Sequence, residues 1–248
     1  MDISGKTVLI TGGAKGIGRV LVDKLIKENA RVGVLDIDEK PLHQLSVDSP
    51  SIFVRRCDIT DPTQVELALS DYIKDFDTID ILINVAGLVK DSPLISISGE
   101  IKRHDLELWN KIISVNLTSV FIVSSYVAEY MIKKRTKGLI INVSSVSSNG
   151  NAGQSAYSAA KAGVIALTKT WAKELNGLGI RVASISPGFT RTDTLLSIMN
   201  EKLISEWSKK IPLRRMAQPS EIADGILFII HNDYFNGKTL ELDGGLIV

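Results

Sequence analysis

Short apolar runs alternate with segments of helical periodicity along most of the chain. Residues 7–10 (TVLI) and 31–35 (RVGVL) read as buried parallel strands. Between them Val20, Leu21, Leu25 and Ile26 recur at helical spacing. A third short strand falls within residues 51–56, and a helix over 62–76 follows, marked by Val65, Leu69, Tyr72 and Phe76. Residues 79–83 form the fourth strand, 139–143 the fifth, 180–185 the sixth and 239–242 the seventh. Helices are expected over 106–115, 120–130, 158–171 and 219–230, with Asn116 interrupting the first pair. Residues 88–106 lack a period and read as a long loop outside the sheet. Strand–helix alternation of this kind specifies an α/β, doubly wound parallel seven-stranded sheet with helices on both faces. No linker or repeat divides the chain, so residues 1–248 are expected to form one domain, with a covering segment around 189–212.

Composition narrows the picture only a little. A chain of 248 residues, 44% hydrophobic and 23% charged, is ordinary for a soluble protein. A net charge of +1 offers no electrostatic footprint for nucleic acid or an acidic membrane, so neither is expected as a partner. Cys57 stands alone, which excludes an intrachain disulfide and favours a reducing compartment. The first residues lack a signal-peptide pattern, and no uninterrupted apolar run approaches the ~20 residues of a membrane span. A cytoplasmic location is the resulting expectation. His43, His104 and His231 lack ligand spacing, and no metal site is expected.

The chemistry is concentrated where strands end. After the first strand comes Thr11-Gly-Gly-Ala-Lys-Gly-Ile-Gly18. Here Gly12 permits a tight turn, Gly16 lets a pyrophosphate approach the backbone, and Gly18 allows close helix packing. The helix N-terminus supplies free amides for the anion. The second strand ends in Asp36, positioned to accept from an adenosine ribose and to repel a 2′-phosphate. Ile37 offers such a phosphate no cation, whereas Lys15 does; Asp36 is weighted more heavily, so NAD(H) is preferred and NADP(H) stays open. Asp58 is a candidate acceptor for an adenine amino group. Small residues in Asn84-Val85-Ala86-Gly87 leave room for a flat cofactor. Pro187 and Gly188 close the nicotinamide end, with Thr190 and Thr192 as donors to its carboxamide or to the pyrophosphate.

Tyr157 and Lys161 stand at i and i+4 and share a helix face. The ammonium is expected to pull the phenol below its usual value of about 10, which makes the tyrosine a usable proton donor or acceptor. A serine at the mouth of the preceding strand would orient a substrate oxygen. The buried amide of Asn116 either is structural or belongs to a proton path. Apolar residues Leu195, Leu196, Ile198, Met199, Leu203 and Trp207 form a substrate face or simply pack on the protein.

Together these pieces resemble the short-chain dehydrogenase/reductase family over almost the whole chain. The matching residues are Thr11–Gly18, Cys57-Asp58, Asn84–Gly87, Asn116, Ser144-Ser145, Tyr157 with Lys161, and Pro187-Gly188. The resemblance implies a homotetramer and a proton relay through Asn116 and Lys161. It also implies a catalytic set of Asn116, Ser145, Tyr157 and Lys161. The implied cofactor set adds Gly12, Lys15, Gly16, Ile17, Gly18, Asp36, Asp58, Ile59, Asn84, Ala86, Gly87, Pro187, Gly188, Thr190 and Thr192 to Tyr157 and Lys161. Family spacing of 13 residues before the tyrosine points to Ser144, and alignment on the strand end points to Ser145. Ser145 is preferred, because a strand slip would turn the hydroxyl to the other face.

Within the family the sequence is most similar to 3-oxoacyl thioester reductases, through residues 151–163 and 235–245. The implied reaction interconverts a ketone and a secondary alcohol, with the substrate carried on acyl carrier protein or coenzyme A. Asp36 and the long 88–106 segment depart from that pattern. A small secondary alcohol, a polyol or a steroid remains an alternative substrate. A dinucleotide-sensing binding protein and a structural oligomer are the alternative classes.

Overall fold

The computed structural model describes residues 1–97 and 99–246; the side chains of Thr194 and Ile198 lie outside the description. The first half runs β1 (Thr7–Thr11), α1 (Gly16–Lys27), β2 (Arg31–Asp36), α2 (Glu39–Asp48), β3 (Phe53–Arg56), α3 (Pro62–Phe76) and β4 (Ile81–Asn84). The short strands β5 (Ile95–Ser96) and β6 (Lys102–Arg103) come next, then α4 (Leu106–Ile113), a π-helical turn (Ser114–Thr118) and α5 (Ser119–Lys133). The second half holds β7 (Leu139–Val143), α6 (Ser155–Leu175), β8 (Arg181–Pro187), α7 (Asp193–Ile198), α8 (Glu201–Lys210), α9 (Pro219–His231) and β9 (Thr239–Leu242).

Seven strands form one parallel sheet in the order β3-β2-β1-β4-β7-β8-β9. The order reverses beside β1, so the crevice outside the strand C-termini opens between β1 and β4. Alternating side chains feed two cores. Val8, Ile10, Ile81, Ile83, Leu139 and Ile141 meet α1 and α9 on one face. Leu9, Leu82, Ile140 and Val182 meet α3, α5 and α6 on the other. The sheet therefore buries both faces, which is why its strands read as continuous apolar runs.

Several elements differ from the sequence reading. α2 follows Asp36 in a stretch to which no element was assigned; Leu42 and Leu45 are its buried residues, so its period was faint. Residues 88–106 are not wholly irregular, because β5 and β6 pair antiparallel as a small ribbon. α6 begins at Ser155, ahead of the expected Ser158, and the covering segment is two helices, α7 and α8. Asn116 does not break its helix: the chain stays helical from Leu106 to Lys133 through the π-helical turn. That continuous helix is long and apolar enough, by length and composition, to cross a membrane, unlike any single apolar run in the sequence. Here Val120, Val123, Val127 and Met131 are buried, the last three against the sheet's second face.

Beneath the site a polar chain crosses the second core. Asn84 Nδ2 donates to Asn142 Oδ1 (2.9 Å) and to Ser124 Oγ (3.0 Å). Asn142 Nδ2 donates to Thr168 Oγ1 (3.0 Å), whose hydroxyl donates to Val164 O (2.9 Å). All four polar side chains are buried, and each has a partner, as a low-dielectric interior requires.

Candidate active site and dinucleotide cradle

The glycine turn between β1 and α1 is shaped by close contacts that only hydrogen side chains permit. Gly12 has φ +71°, and a Cβ there would lie 2.7 Å from Ala86 Cα. A Cβ on Gly18 would lie 2.1 Å from Gly12 O. Gly16 has φ +55° and lies under Thr192, whose Cγ2 would be 3.3 Å from an added Cβ. The turn is thus a tight cradle at a helix N-terminus, with Lys15 at the N-cap position making no side-chain cap to the first amides.

Asp36 closes the cradle. Its Oδ2 accepts from Ala14 N (3.0 Å) and its Oδ1 from Asp38 N (3.0 Å). Only 8% of the residue is exposed, so a fixed anion faces the turn. Lys15, the candidate phosphate cation, is instead paired with Asp38. A buried carboxylate, a lysine engaged by Asp38 and a turn without room for Cβ atoms fit the adenosine half of a nicotinamide dinucleotide.

Other members of the implied cofactor set differ in orientation. The Asn84 side chain points into the core, held by Ser124 and Asn142, so it is removed from the crevice. The Ile59 side chain joins the buried cluster around Leu35 and Cys57, and Ile17 packs against the opposite core. Asp58 Oδ1 accepts from Thr60 N (2.9 Å) and Thr60 Oγ1 (2.7 Å), forming a local turn. Thr190 Oγ1 donates to Gly188 O (3.1 Å), and Thr192 Oγ1 caps α7 by accepting from Leu195 N (3.2 Å). Gly188 is pressed against the chain after β9: a Cβ on it would lie 2.7 Å from Asp243 Cα. Ala86 and Gly87 border the crevice between Gly12 and the α6 lysine.

The two serines after β7 face different ways. Ser144 is 3% exposed and donates to Lys161 O (2.9 Å), inside the protein. Ser145 caps the following 3-10 turn and accepts from Ser147 N (3.2 Å), and its hydroxyl is near enough to the Tyr157 phenol to favour the ionised form. Lys161, on α6, is buried; its Nζ donates to Val143 O (2.8 Å) and lies 5.7 Å from the Tyr157 ring centroid. Asn116 Oδ1 and Lys161 Nζ both border Gly87, at 2.9 and 3.6 Å from where its Cβ would be. The Asn116 amide donates to Leu88 O (2.8 Å) and Ile112 O (3.0 Å) and accepts from Leu88 N (3.1 Å). It sits in the π-helical turn, a local widening often found at functional sites.

Protonation departs from the sequence expectation. Burial pushes the Tyr157 phenol up to about 12, opposed by the nearby Ser145 hydroxyl. Burial lowers Lys161 to about 8. Desolvation dominates, and the Lys161 ammonium is directed to the Val143 carbonyl rather than to the phenol oxygen. Tyr157 is thereby a proton-holding group at neutral pH.

Two residues absent from the sequence reading complete the setting. Gln154, at the start of α6, donates through Nε2 to Asp91 Oδ1 (2.7 Å) and accepts from Ser147 Oγ (2.8 Å). Nothing in their spacing announces this contact; only the position of Gln154 three residues before Tyr157 hinted at it. Above Val146 the covering segment forms an apolar cluster of Leu195, Met199, Ile204 and Trp207 with Phe189, Ile211, Met216 and Leu246. Leu203 is 40% exposed and turned away, and Ile198 lies outside the described side chains.

Comparison with known proteins adds an independent line. The pattern of the short chain dehydrogenase family matches residues 6–202. The 3-oxoacyl-(acyl-carrier-protein) reductase FabG of Thermotoga maritima is 38% identical, with 100% of both chains covered. The enzyme of the same description from Chlamydia pneumoniae is 37% identical over 99% of each. Among solved structures, one titled "Crystal structure of gox2181" superposes with a TM-score of 0.89 at 25% identity, covering 98% of this chain and 95% of the other.

Proposed function

From the premise that the chain belongs to the short chain dehydrogenase family and is an NAD(P)-dependent oxidoreductase, we propose that it reduces the ketone of a 3-oxoacyl thioester, with Tyr157 as the proton donor. The observation that carries this reading is Tyr157 beside buried Lys161, whose Nζ lies 5.7 Å from its ring centroid, with Ser145 just past the end of β7 and the glycine cradle adjacent. A bound nicotinamide supplies the hydride. Ser145 orients the carbonyl oxygen, and Tyr157 gives its proton to that oxygen as negative charge develops there. Lys161 contributes positive charge, and Asn116 supports proton resupply through its position beside Gly87 and Lys161. The apolar cluster over Val146 supports an aliphatic acyl group over a polyol, and the reductase names of the relatives support the thioester. Steady-state kinetics with acetoacetyl thioesters, small diketones and polyols test this; turnover of polyols alone would overturn it.

The cofactor preference is assigned to NAD(H). Asp36 fixed against Ala14 N and Lys15 paired with Asp38 support it. Asp36→Ala should cut the NADH-over-NADPH preference in kcat/KM by about 10–100-fold, the equivalent of roughly 1.4–2.8 kcal/mol. An unchanged ratio would refute the role of the carboxylate.

A pH dependence follows from the two shifts. Lys161 is cationic below about 8 and neutral above it, while Tyr157 keeps its proton up to about 12. The reduction rate should therefore hold through neutral pH and fall above about pH 8, while alcohol oxidation, which needs the deprotonated tyrosine, should rise with pH. A pH profile of kcat/KM in both directions reads this directly.

We assign a homotetramer and a cytoplasmic setting on narrower grounds. Phe121 on α5 is 53% exposed and stacks near Trp171 of α6, an apolar face suited to a second copy. Cys57 is an unpaired buried thiol.

A further inference from the structure

Gln154 joins two parts of the chain that the catalytic groups do not themselves connect. Its carbonyl oxygen accepts from Ser147 Oγ (2.8 Å) and Asn151 Nδ2 (3.2 Å), using both lone pairs. Its amide nitrogen donates to the Asp91 carboxylate at 2.7 Å, a charge-assisted bond. The reversed amide would bring two acceptor oxygens together at Asp91, so the orientation is dictated by the network. Main chain reinforces the contact: Ser92 N donates to Gly153 O (2.7 Å), and Ser92 bridges Gln154 in parallel.

Each side of this contact leads somewhere. On one side, Ser147 N donates to Ser145 Oγ, and the Ser145 hydroxyl acts on the nearby Tyr157 phenol. On the other, β5 begins shortly after Ser92 and pairs only with β6 among the described strands. This ribbon is too small to be stable alone. It nevertheless presents Leu94, Ile95, Ile97 and Ile101 at 73%, 45%, 80% and 74% exposure. Its base is therefore held at the catalytic turn by Asp91 and Ser92.

We propose that Asp91 and Gln154 form a latch that positions the aliphatic β5–β6 ribbon beside the catalytic turn, so that the ribbon binds the distal part of a long acyl chain. Asp91 and Gln154 are positioning residues: they act through the ribbon and through Ser147, not on the reacting atoms. This inference rests on the acyl thioester reading.

Exchange of polarity across the latch tests it. Gln154→Glu keeps the oxygen that receives Ser147 and Asn151 but sets a carboxylate against Asp91. Adding Asp91→Asn restores one donor and one acceptor across the gap. Gln154→Glu should raise KM for long-chain 3-oxoacyl thioesters about tenfold more than for acetoacetyl thioester, with NADH affinity unchanged; tenfold corresponds to about 1.4 kcal/mol. The double variant should return KM to within about threefold of the parent protein. An unchanged chain-length profile, or a double variant as impaired as the single one, overturns the proposal.

Amide hydrogen exchange separates this outcome from failure of the substrate reading. If the parent enzyme turns over no acyl thioester, that reading falls, and with it the acyl-binding role. The latch itself is then judged by exchange at residues 92–97, which should quicken in Gln154→Glu and slow again in the double variant. Identical exchange in all three proteins overturns the latch.

Discussion

Tyr157→Phe should lower kcat for carbonyl reduction by roughly 100–10,000-fold, the range expected when a positioned general acid is removed. The phenol is partly buried, retains its proton to about 12 and lies near the Ser145 hydroxyl, so it is the group beside Lys161 fitted to give up a proton. The substitution removes one oxygen and leaves the ring and the Lys161–Val143 bond in place. NADH affinity should stay within about threefold and the melting temperature within a few degrees, because neither the cradle nor a core contact is lost. Single-turnover measurements with NADH and acetoacetyl thioester check the chemical step directly. Near-normal turnover with cofactor bound would remove Tyr157 from the mechanism.

Gly18→Ala should have the largest effect on the fold side. The added carbon would start 2.1 Å from Gly12 O, a main-chain atom in a turn that is itself pressed on Ala86. No side-chain rotation relieves such a contact; α1 must move away from β1. We expect a loss of about 2–4 kcal/mol in stability, in line with overpacked cores, and at least a tenfold weaker NADH affinity. Denaturant unfolding and fluorescence titration of NADH measure the two losses separately. A variant with parental stability and affinity would show that the cradle tolerates that displacement.

The sheet and its cradle were legible in the chain because both leave local marks. Buried parallel strands demand uninterrupted apolar residues, and a turn without room for Cβ demands glycine. Tyr157 and Lys161 were legible for the same reason, since four residues on a helix are a spatial statement. The serine question was of another kind. Ser144 and Ser145 are adjacent and alike; only the strand's pleat turns one toward Lys161 O and the other toward Tyr157. Burial was hidden too. The sequence put a cation next to a phenol but could not weigh the water that both lose, nor foresee that Lys161 reaches Val143. Asp91 and Gln154 lie 63 positions apart and meet only through tertiary structure. Asn84 resembled a cofactor residue by its neighbours Ala86 and Gly87, yet successive side chains take opposite faces, and its own faces the core.

The polar chain from Asn84 through Asn142 to Thr168 has a consequence for how the enzyme keeps its aim. Thr168 and Tyr157 are on the same helix, and Thr168 is bonded to the middle of the sheet. Helix α6 is therefore indexed along its own axis, like a bolt held by a cross-pin. Sliding by one helical turn, about 5.4 Å, would strand a buried amide and a buried hydroxyl together. Intermediate offsets satisfy neither set of partners, so the helix has one seat rather than a range of them. Alignment of Tyr157 is then as durable as the core itself, and thermal inactivation should track cooperative unfolding instead of preceding it.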